Sequence, residues 1–348
     1  RSFNNDLGVP LTLLAADPGT EVVVCEMGAR GPGHIAALCR YVRPHVGVVT
    51  NVGVTHYAEF GSRQAIAAEK AQLVRALPEF GAAVLNADDP AVAAMGRLAA
   101  GEVVTYGLSA DAYLRATDVA WDRLGRPELR LRAAGESAWV ALRVSGRHQV
   151  SNALAAAAAG IALGVPLDEC ARGLASASVS PWRMEVHEGV LPGVGEVVVV
   201  NDAYNASPAS MASALETCAR MVRGEGGLVA VLGMMAELGD IAPSEHERVG
   251  ALAAALARQL VVVGERAAGI ATGARAAGLG AVRLVAGVGD VAAALGDAGL
   301  RAGDVVLVKA SRVAGLESAA EALVARLGSV GPVGPVGPVR PVDWGAVR

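Results

Sequence analysis

The chain has 348 residues with a net charge of −4, and 53% of them are hydrophobic while only 3% are aromatic. This length predicts two domains, and the composition predicts cores built mainly from aliphatic side chains. The mildly acidic charge argues against nucleic acid or an anionic membrane as the main partner, and no apolar run reaches the roughly 18 residues of a membrane-spanning helix. The four cysteines form no CxxC pair, which is typical of buried free thiols in a cytoplasmic protein.

The first part of the chain alternates short β-branched runs with amphipathic or Ala-rich segments, which predicts a parallel sheet covered by helices. Period-two alternation between residues 112 and 145 predicts a small antiparallel insert. The predicted strands are Val22–Cys25, Val46–Thr50, Ala82–Asn86 and Val103–Tyr106, and the predicted helices are His34–Tyr41, Arg63–Ala76, Pro90–Ala99, residues 146–163 and Asp168–Ser176.

A second strand–helix alternation follows a Gly/Pro-containing segment at Glu188–Gly195, and it predicts a second α/β domain. The predicted strands are Glu196–Val200, Leu228–Leu232, Leu260–Val263, Val282–Val285 and Val305–Val308; the predicted helices are Pro208–Val222, Ser244–Arg258, Ala267–Ala277, Val288–Ala298 and Glu317–Leu327. We therefore expect an α/β protein with domains at 1–187 and 188–328. Residues 329–348 repeat Gly-Pro-Val and predict a polyproline-II or disordered tail.

Lysine is rare in this chain. Only Lys70 and Lys309 are lysines among thirty Lys and Arg residues. Arginine stays charged, whereas the lysine amine can lose its proton and react as a nucleophile. Reaction with carbon dioxide would give a carbamate, whose oxygens can bind a divalent cation. The alternative for Lys70 is a solvated helix residue beside Glu69.

Glu26, His56 and Lys70 form the first candidate site. A hard cation such as Mg²⁺ takes oxygen ligands and keeps several waters. Glu26 would supply one oxygen, a carbamate on Lys70 another, and His56 would bind a second ion or orient a phosphate. Thr50 and Asn51 end a predicted strand, where ligands of parallel sheets gather. The alternative is that Glu26 neighbours a helix cap and that His56 is structural.

The segment 201–211 runs from a predicted strand through a turn into a helix. Asp202 at the strand end can accept hydrogen bonds from a ribose. Asn205 and Ser207 can bind a ligand, or they can cap the helix that Pro208 opens.

Two further cationic positions point to anionic groups. Arg183 lies near the predicted domain boundary, where it could reach the terminal phosphate of a nucleotide; the alternative is a salt bridge with Glu185. Lys309, Ser311 and Arg312 follow the last predicted strand, a placement that favours binding a carboxylate.

Nine segments carry a resemblance to a known family. They are SFNNDLGVPLTLL (from Ser2), EMGARGPGHI (from Glu26), TNVGVTHYAEFGS (from Thr50), AIAAEKAQL (from Ala65), LNADDP (from Leu85), GRHQVSNALAAAA (from Gly146), NDAYNASPASM (from Asn201), VLGMMAELG (from Val231) and GDVVLVKASR (from Gly303). In this order they resemble the ATP-dependent Mur ligases of peptidoglycan synthesis.

This resemblance implies a central ATPase domain followed by a Rossmann-like C-terminal domain. It implies activation of a carboxylate by ATP, with Mg²⁺, to an acyl phosphate that an amine then attacks. The segments NDAYNASPASM and SFNN-x-x-GVP imply that UDP-N-acetylmuramoyl-tripeptide is the acceptor acid and D-alanyl-D-alanine the amine. We expect a cytoplasmic monomer.

The resemblance also assigns roles to single residues. It implies that Glu26 and His56 serve the Mg²⁺ site, that Lys70 is carbamylated and that Arg183 faces a phosphate; that Asn152, Asp202, His148 and Asn205 serve the nucleotide; and that Asn4, Asn5, Thr50, Asn51, Lys309, Ser311 and Arg312 serve the substrates.

The chain departs from the family in lacking a phosphate-binding loop. No G-x-x-x-x-G-K-[ST] motif occurs, and the family pattern places that loop and a UDP-binding domain upstream of Arg1. We therefore expect this chain alone not to hydrolyse ATP. The alternatives are another amino-acid ligase of the folylpolyglutamate type and a non-catalytic protein that binds the UDP-sugar peptide.

Overall fold

The computed structural model describes residues 3–29, 31–53, 60–178, 180–296 and 299–329. The chain divides into two compact units. The first consists of residues 1–117, 130–140 and 151–174, and the second of residues 118–129, 141–150 and 175–348. The α/β class predicted from the sequence is confirmed.

The first sheet has six strands that lie in chain order. They are β1 (Val46–Val49), β2 (Ala82–Asn86), β3 (Glu102–Gly107), β4 (Leu114–Trp121), β5 (Pro127–Ala133) and β6 (Glu136–Ala141). Strands β1 to β4 pair in parallel. The predicted insert therefore continues the first sheet, because β4 is hydrogen-bonded to β3. Strand β2 is buried along its whole length, as its apolar sequence predicts.

Six helices accompany this sheet in the described residues. They are α1 (Gly8–Leu14), α2 (His34–Val42), α3 (Arg63–Arg75), α4 (Pro90–Ala93), α5 (His148–Ala162) and α6 (Leu167–Ser176). Ser62 is the N-cap of α3, and its hydroxyl accepts the Ala65 N–H. Asp89 is the N-cap of α4, and its carboxylate accepts the N–H groups of Ala91 and Val92. Both starts follow from side-chain oxygens that satisfy free amides of a first helical turn.

The strand predicted at Val22–Cys25 is wrong. Residues 20–29 lie in no helix or strand, and Val24 is 85% exposed, with Val22 and Val23 exposed as well. β-Branched residues favour strands, but a strand forms only where a neighbour supplies its hydrogen bonds. Leu7, Leu11 and Leu14 of the nearby α1 region are also exposed, so this stretch carries several solvent-facing apolar side chains.

The second sheet has six strands in the order β11-β10-β9-β12-β8-β7. They are β7 (Glu185–Leu191), β8 (Gly195–Asp202), β9 (Leu228–Leu232), β10 (Ala257–Val263), β11 (Val282–Val285) and β12 (Val305–Lys309). Only β7 among these strands runs antiparallel, paired with β8. The predicted domain boundary between residues 187 and 188 lies within this hairpin, and the last segment of the second compact unit begins at Ala175.

Helices cover both faces of the second sheet. They are α7 (Pro208–Met221), α8 (Ala242–Leu256), α9 (Ala268–Ala276), α10 (Val291–Gly296) and α11 (Glu317–Val324). Alternate residues of β8 enter different cores: Val198 and Val200 pack into one, and Val199 into the other. This is the packing expected of a parallel sheet with two buried faces.

Three smaller expectations have separate outcomes. The helix predicted to end at Arg258 ends at Leu256, and β10 begins directly at Ala257. The predicted tail falls, from residue 330 on, outside the described residues. Among the described helices, none is both long enough and apolar enough to cross a bilayer.

Helices α8 and α9 pack closely because each has a glycine where they meet. A Cβ on Gly250 would lie 2.0 Å from the Ile270 carbonyl oxygen, and one on Gly273 would lie 2.0 Å from that of Glu247. Gly250→Ala should therefore lower the free energy of unfolding by at least about 2 kcal/mol, because backbone must move to admit the methyl group.

The matched control is Gly173→Ala in α6, where an added Cβ meets nothing within 4 Å. This change should raise the free energy of unfolding by about 0.5–1 kcal/mol. Urea denaturation of both variants is the measurement, and equal effects at the two positions would contradict the prediction.

Candidate functional site

The carboxyl ends of β1 and β2 are fastened together by polar side chains. The Asn86 amide donates to the Thr50 carbonyl at 2.8 Å, and the Asp89 carboxylate accepts the Val52 N–H at 2.8 Å. The backbone of residues 50–52 is thereby fixed at the edge of the sheet where ligands of parallel sheets bind.

Lys70 points to this same edge. Its ammonium donates to the Asn51 carbonyl at 2.6 Å. Burial lowers the pKa of Lys70 below its ordinary value, and the nearby Asp89 carboxylate opposes that shift only in part. More of the amine is therefore neutral at a given pH than in an exposed lysine. The arrangement fits a reactive lysine better than a solvated helix residue.

Glu69, the neighbour of Lys70, carries a role that the sequence analysis missed. It is 5% exposed, and its two carboxylate oxygens accept the N–H groups of Gly33 and Ile35, each at 2.7 Å. These amides begin α2, whose own N-cap offers no side-chain acceptor. A carboxylate at a helix N-terminus is favoured by the helix dipole. The spacing of the helix could have indicated this burial, because Glu69 follows Ile66 by three residues on the buried face of α3.

Glu26 is joined to the first residues of the chain. The Asn4 amide donates to Glu26 Oε1 at 3.0 Å, and the Gly28 N–H donates to the Asn4 carbonyl at 2.8 Å. Asn5 has a different task, since its Oδ1 accepts the Leu7 and Gly8 N–H groups at the start of α1. Of Asn4 and Asn5, only Asn4 has a side chain that contacts the predicted metal ligand Glu26.

The predicted metal site can be compared with the structure only in part, because His56 lies outside the described residues. Among the residues that are described, no three His, Cys, Asp or Glu side chains gather as a metal site would require. Glu26 is an exposed carboxylate, and Lys70 offers oxygens only after carbamylation. Such a sparse oxygen set suits Mg²⁺, which keeps waters and takes much of its coordination from phosphates.

A buried ion pair lies at the carboxyl edge of the second sheet. The Lys309 ammonium meets Asp202 Oδ2 at 2.6 Å and the Asn205 carbonyl at 2.9 Å, and Lys309 is 2% exposed. Lys309 was predicted to bind a carboxylate of a ligand. In the structure a carboxylate of the protein takes that place, since β8 and β12 are adjacent and Lys309 is in register with Asp202.

Arg183 lies in a segment whose backbone is strained on both sides of it. Its guanidinium lies 4.0 Å from the ring centre of Tyr204. The residues on either side, Trp182 and Met184, have φ angles of 61° and 49°, which non-glycine residues rarely adopt. The Met184 N–H donates to Asp202 Oδ1 at 3.0 Å and holds this conformation. Non-glycine strain of this kind is concentrated at functional sites.

Several predicted ligand residues serve local structure. Ser207 caps α7 in a capping box with Ser210, and Pro208 is at the first helical turn, so the capping alternative accounts for Ser207. Asn205 Oδ1 accepts the Ala206 N–H at 2.9 Å. Ser311 Oγ accepts the Ala236 N–H at 2.9 Å.

Arg312, His148 and Asn152 complete the predicted set. The Arg312 guanidinium lies 4.1 Å from the ring centre of Trp182 and pairs with Glu317. His148 begins α5, with Nδ1 3.3 Å from the Ser213 hydroxyl. Asn152 lies one turn further along α5 and is exposed.

Comparison with protein families gives two matches. Residues 1–160 match the Mur ligase middle domain, and residues 182–312 match the Mur ligase glutamate ligase domain. The two matches follow one another along the chain.

Two curated relatives share one name. The UDP-N-acetylmuramoyl-tripeptide–D-alanyl-D-alanine ligase of Mycobacterium tuberculosis (strain CDC 1551 / Oshkosh) is 46% identical over 343 residues, covering 93% of this chain and 66% of that protein. The ligase of the same name from Mycobacterium leprae is 40% identical, covering 93% of this chain and 67% of that protein. The chain thus spans about two thirds of the length of these relatives.

Solved structures agree in fold. A crystal structure of MurF from Acinetobacter baumannii has a TM-score of 0.81 at 27% identity, covering 93% of this chain and 69% of that one. MurF ligase from Thermotoga maritima in complex with ADP has a TM-score of 0.79 at 29% identity, covering 93% and 71%.

The lowered pKa of Lys70 leads to a prediction about its reactivity. With ¹³C-labelled bicarbonate, the chain should show a lysine carbamate signal by ¹³C NMR that grows as the pH rises above neutrality, because the neutral amine is the reactive form. Lys70→Arg should abolish the signal. Lys309 remains in that variant as an internal control, and a signal of equal size in Lys70→Arg would contradict the prediction.

The buried pair leads to a prediction about stability. Lys309→Met should lower the free energy of unfolding by about 3–5 kcal/mol, because Asp202 is left buried without its counter-ion. Asp202→Asn combined with Lys309→Met should lose less than the sum of the two single changes. Urea denaturation of the four proteins measures the coupling, and strictly additive losses would show that the pair contributes nothing.

Proposed function

Because this chain belongs to the Mur ligase family, we propose that the protein containing it is an ATP-dependent ligase that adds D-alanyl-D-alanine to UDP-N-acetylmuramoyl-tripeptide. The observation that carries the proposal is the 46% identity to the mycobacterial ligase of that name over 93% of the chain. The similarity to the ADP complex of MurF supports a nucleotide as the second substrate.

The proposed reaction has two steps. The terminal carboxylate of the tripeptide attacks the γ-phosphorus of ATP, which gives an acyl phosphate and ADP. The amine of D-alanyl-D-alanine then attacks the acyl carbon, an amide bond forms, and phosphate leaves. Both steps build up negative charge on phosphate oxygens, so cationic and hydrogen-bonding groups near the phosphates accelerate them.

We assign Glu26 and a carbamate on Lys70 to a Mg²⁺ site, with His56 as a further residue of that site. Glu26 is exposed and Lys70 faces the fixed backbone of residues 50–52, which supports a ligand edge at this place. When bound, Mg²⁺ would neutralise charge on the phosphates. We assign four residues of this unit to substrate binding: Asn4, Asn5, Thr50 and Asn51. Among them, Asn4 donates a hydrogen bond to Glu26.

In the second unit we assign Arg183 to the transferred phosphate and Asp202 to the nucleotide. The strained residues around Arg183 hold it on the surface of Tyr204. Lys309 acts on the ligand through Asp202, because its ammonium is buried against that carboxylate. Asn152, His148 and Asn205 remain proposed nucleotide residues, and Ser311 and Arg312 proposed substrate residues.

We also propose that the protein works in the cytoplasm as a monomer. The cysteines Cys25, Cys39, Cys170 and Cys218 are free thiols, and three of them are buried. Unpaired cysteines are usual in a reducing compartment, which supports this location.

Phosphate release tests the proposed function. It is measured with ATP, Mg²⁺ and UDP-N-acetylmuramoyl-tripeptide, with and without D-alanyl-D-alanine, for this chain and for a version extended to the full length of the relatives. We expect dipeptide-dependent release from the extended version. Lys70→Ala in that version should lose most of this activity, since the metal site would lack its carbamate.

The same assay with a panel of alternative amines in place of D-alanyl-D-alanine separates the competing functions. Release that depends on a single amino acid, such as glutamate, in place of the dipeptide would indicate a ligase of the folylpolyglutamate type. Binding of the UDP-sugar peptide without any phosphate release would indicate a non-catalytic protein. Either result would overturn the proposal.

A further inference from the structure

His246 is a buried titratable residue that no motif in the sequence singles out. It lies in α8 and is 4% exposed. Its Nδ1 is 2.7 Å from the Ala242 carbonyl oxygen, and its Nε2 is 3.0 Å from the Met235 backbone nitrogen. A backbone N–H can only donate, so Nε2 must be the unprotonated acceptor and Nδ1 must carry the hydrogen. The contacts therefore select one neutral tautomer.

The backbone that His246 holds belongs to residues 233–238, which follow β9 and are here called the methionine loop. This loop is hydrogen-bonded to the end of β12. The Gly233 N–H donates to the Lys309 carbonyl at 2.9 Å, and the Ser311 N–H donates to the Met234 carbonyl at 3.0 Å. The methionine loop is thus clasped between α8 on one side and residues 309–311 on the other.

The same residues reach the ion pair at the carboxyl edge of the sheet. Ser311 Oγ accepts the Ala236 N–H at 2.9 Å and lies 3.4 Å from the Ala206 carbonyl oxygen. Lys309 meets Asp202 and the Asn205 carbonyl. A displacement of the methionine loop would therefore be felt at Ser311 directly and at Asp202 through Lys309.

We propose that His246 is a positioning residue for the ligation reaction, which holds the methionine loop, and through it Ser311 and Lys309, in the arrangement that the reaction requires. The expected effect of His246 on turnover rests on the proposed function. Its structural part, the clasp between His246 and Met235, stands on the contacts alone. His246 acts through the Met235 backbone and touches no reacting group.

Protonation would open this clasp. A second ring hydrogen on Nε2 would face the Met235 N–H, so that two donors meet and the bond is lost. Burial lowers the pKa of His246 below 6.5, Arg266 lowers it further, and the Ala242 carbonyl and Glu245 oppose the shift. Helix α9 packs against His246 through Gly269, which carries no charge.

The sign of the pH effect follows from that direction. Because the folded-state pKa lies below the ordinary value, the neutral ring contributes stability that is fully present above about pH 6.5. This contribution is lost as the pH falls through the folded-state pKa. The clasp is therefore closed at neutral pH and opens in acid.

Two variants of similar size distinguish the clasp from simple filling of space. His246→Gln keeps an uncharged oxygen that can accept the Met235 N–H at every pH. His246→Leu fills the volume but leaves that buried N–H without an acceptor. We expect amide exchange at Met235 and Ala236 to be faster in His246→Leu by about tenfold or more, and close to wild type in His246→Gln.

Turnover should follow the same order. In the full-length protein His246→Leu should lose about tenfold or more in dipeptide-dependent phosphate release, while His246→Gln keeps most of it. In the wild type, protonation of His246 should lower the rate of turnover in acid. This decrease should be absent in His246→Gln. ¹⁵N NMR of the imidazole should show the Nδ1–H tautomer at neutral pH.

The outcomes separate the two proposals. Unchanged amide exchange at Met235 in a folded His246→Leu variant would overturn the clasp. Changed exchange with wild-type turnover and an unchanged decrease in acid would overturn its role in positioning. Dipeptide-independent behaviour of the wild type and both variants would overturn the proposed function while the exchange data still decide the clasp.

Discussion

The carboxyl edge of the second sheet depends on the buried ion pair between Asp202 and Lys309. Two charges withdrawn from water are stable only when each meets its partner at close range with further hydrogen bonds. Here the strands β8 and β12 are adjacent and in register, so the two side chains meet without any long connection. The second oxygen of Asp202 holds Met184, and Lys309 holds the Asn205 carbonyl. The strained Arg183 segment, the turn before α7 and the end of β12 therefore share a single electrostatic anchor.

The first unit reaches a comparable result with hydrogen bonds from polar and charged side chains to the backbone. Asn86 and Asp89 fix the backbone after β1, and Lys70 donates to the same stretch from α3. Glu69 binds the start of α2 from the next position on that helix. One turn of α3 thus orders two neighbouring segments at once. Lys70, Asp202 and Lys309 lie on regular elements, whose positions packing fixes more firmly than those of loops, whereas Glu26 and Arg183 lie outside helices and strands.

Much of this could be predicted from the sequence, and the misses have physical causes. Short apolar runs such as Leu228–Leu232 predict buried strands because they are too short for a typical helix and follow glycines. Strand β7 was missed since it is an edge strand, half exposed, with the mixed sequence EVHEGVL. Val22–Cys25 has strand propensity without a strand partner. The partner of Lys309 and the tautomer of His246 depend on neighbours distant in the chain, which spacing alone does not reveal.

The exposed valines 22–24 affect how the protein behaves in concentrated solution. A short β-branched segment with little charge and no proline can pair with copies of itself on other molecules. Such pairing needs no unfolding, because these side chains already face the solvent. Loss of material on storage would then grow steeply with protein concentration while the melting temperature stayed constant. Solubility and conformational stability are then separate properties of this chain, and the exposed residues 22–24 bear on the first of them.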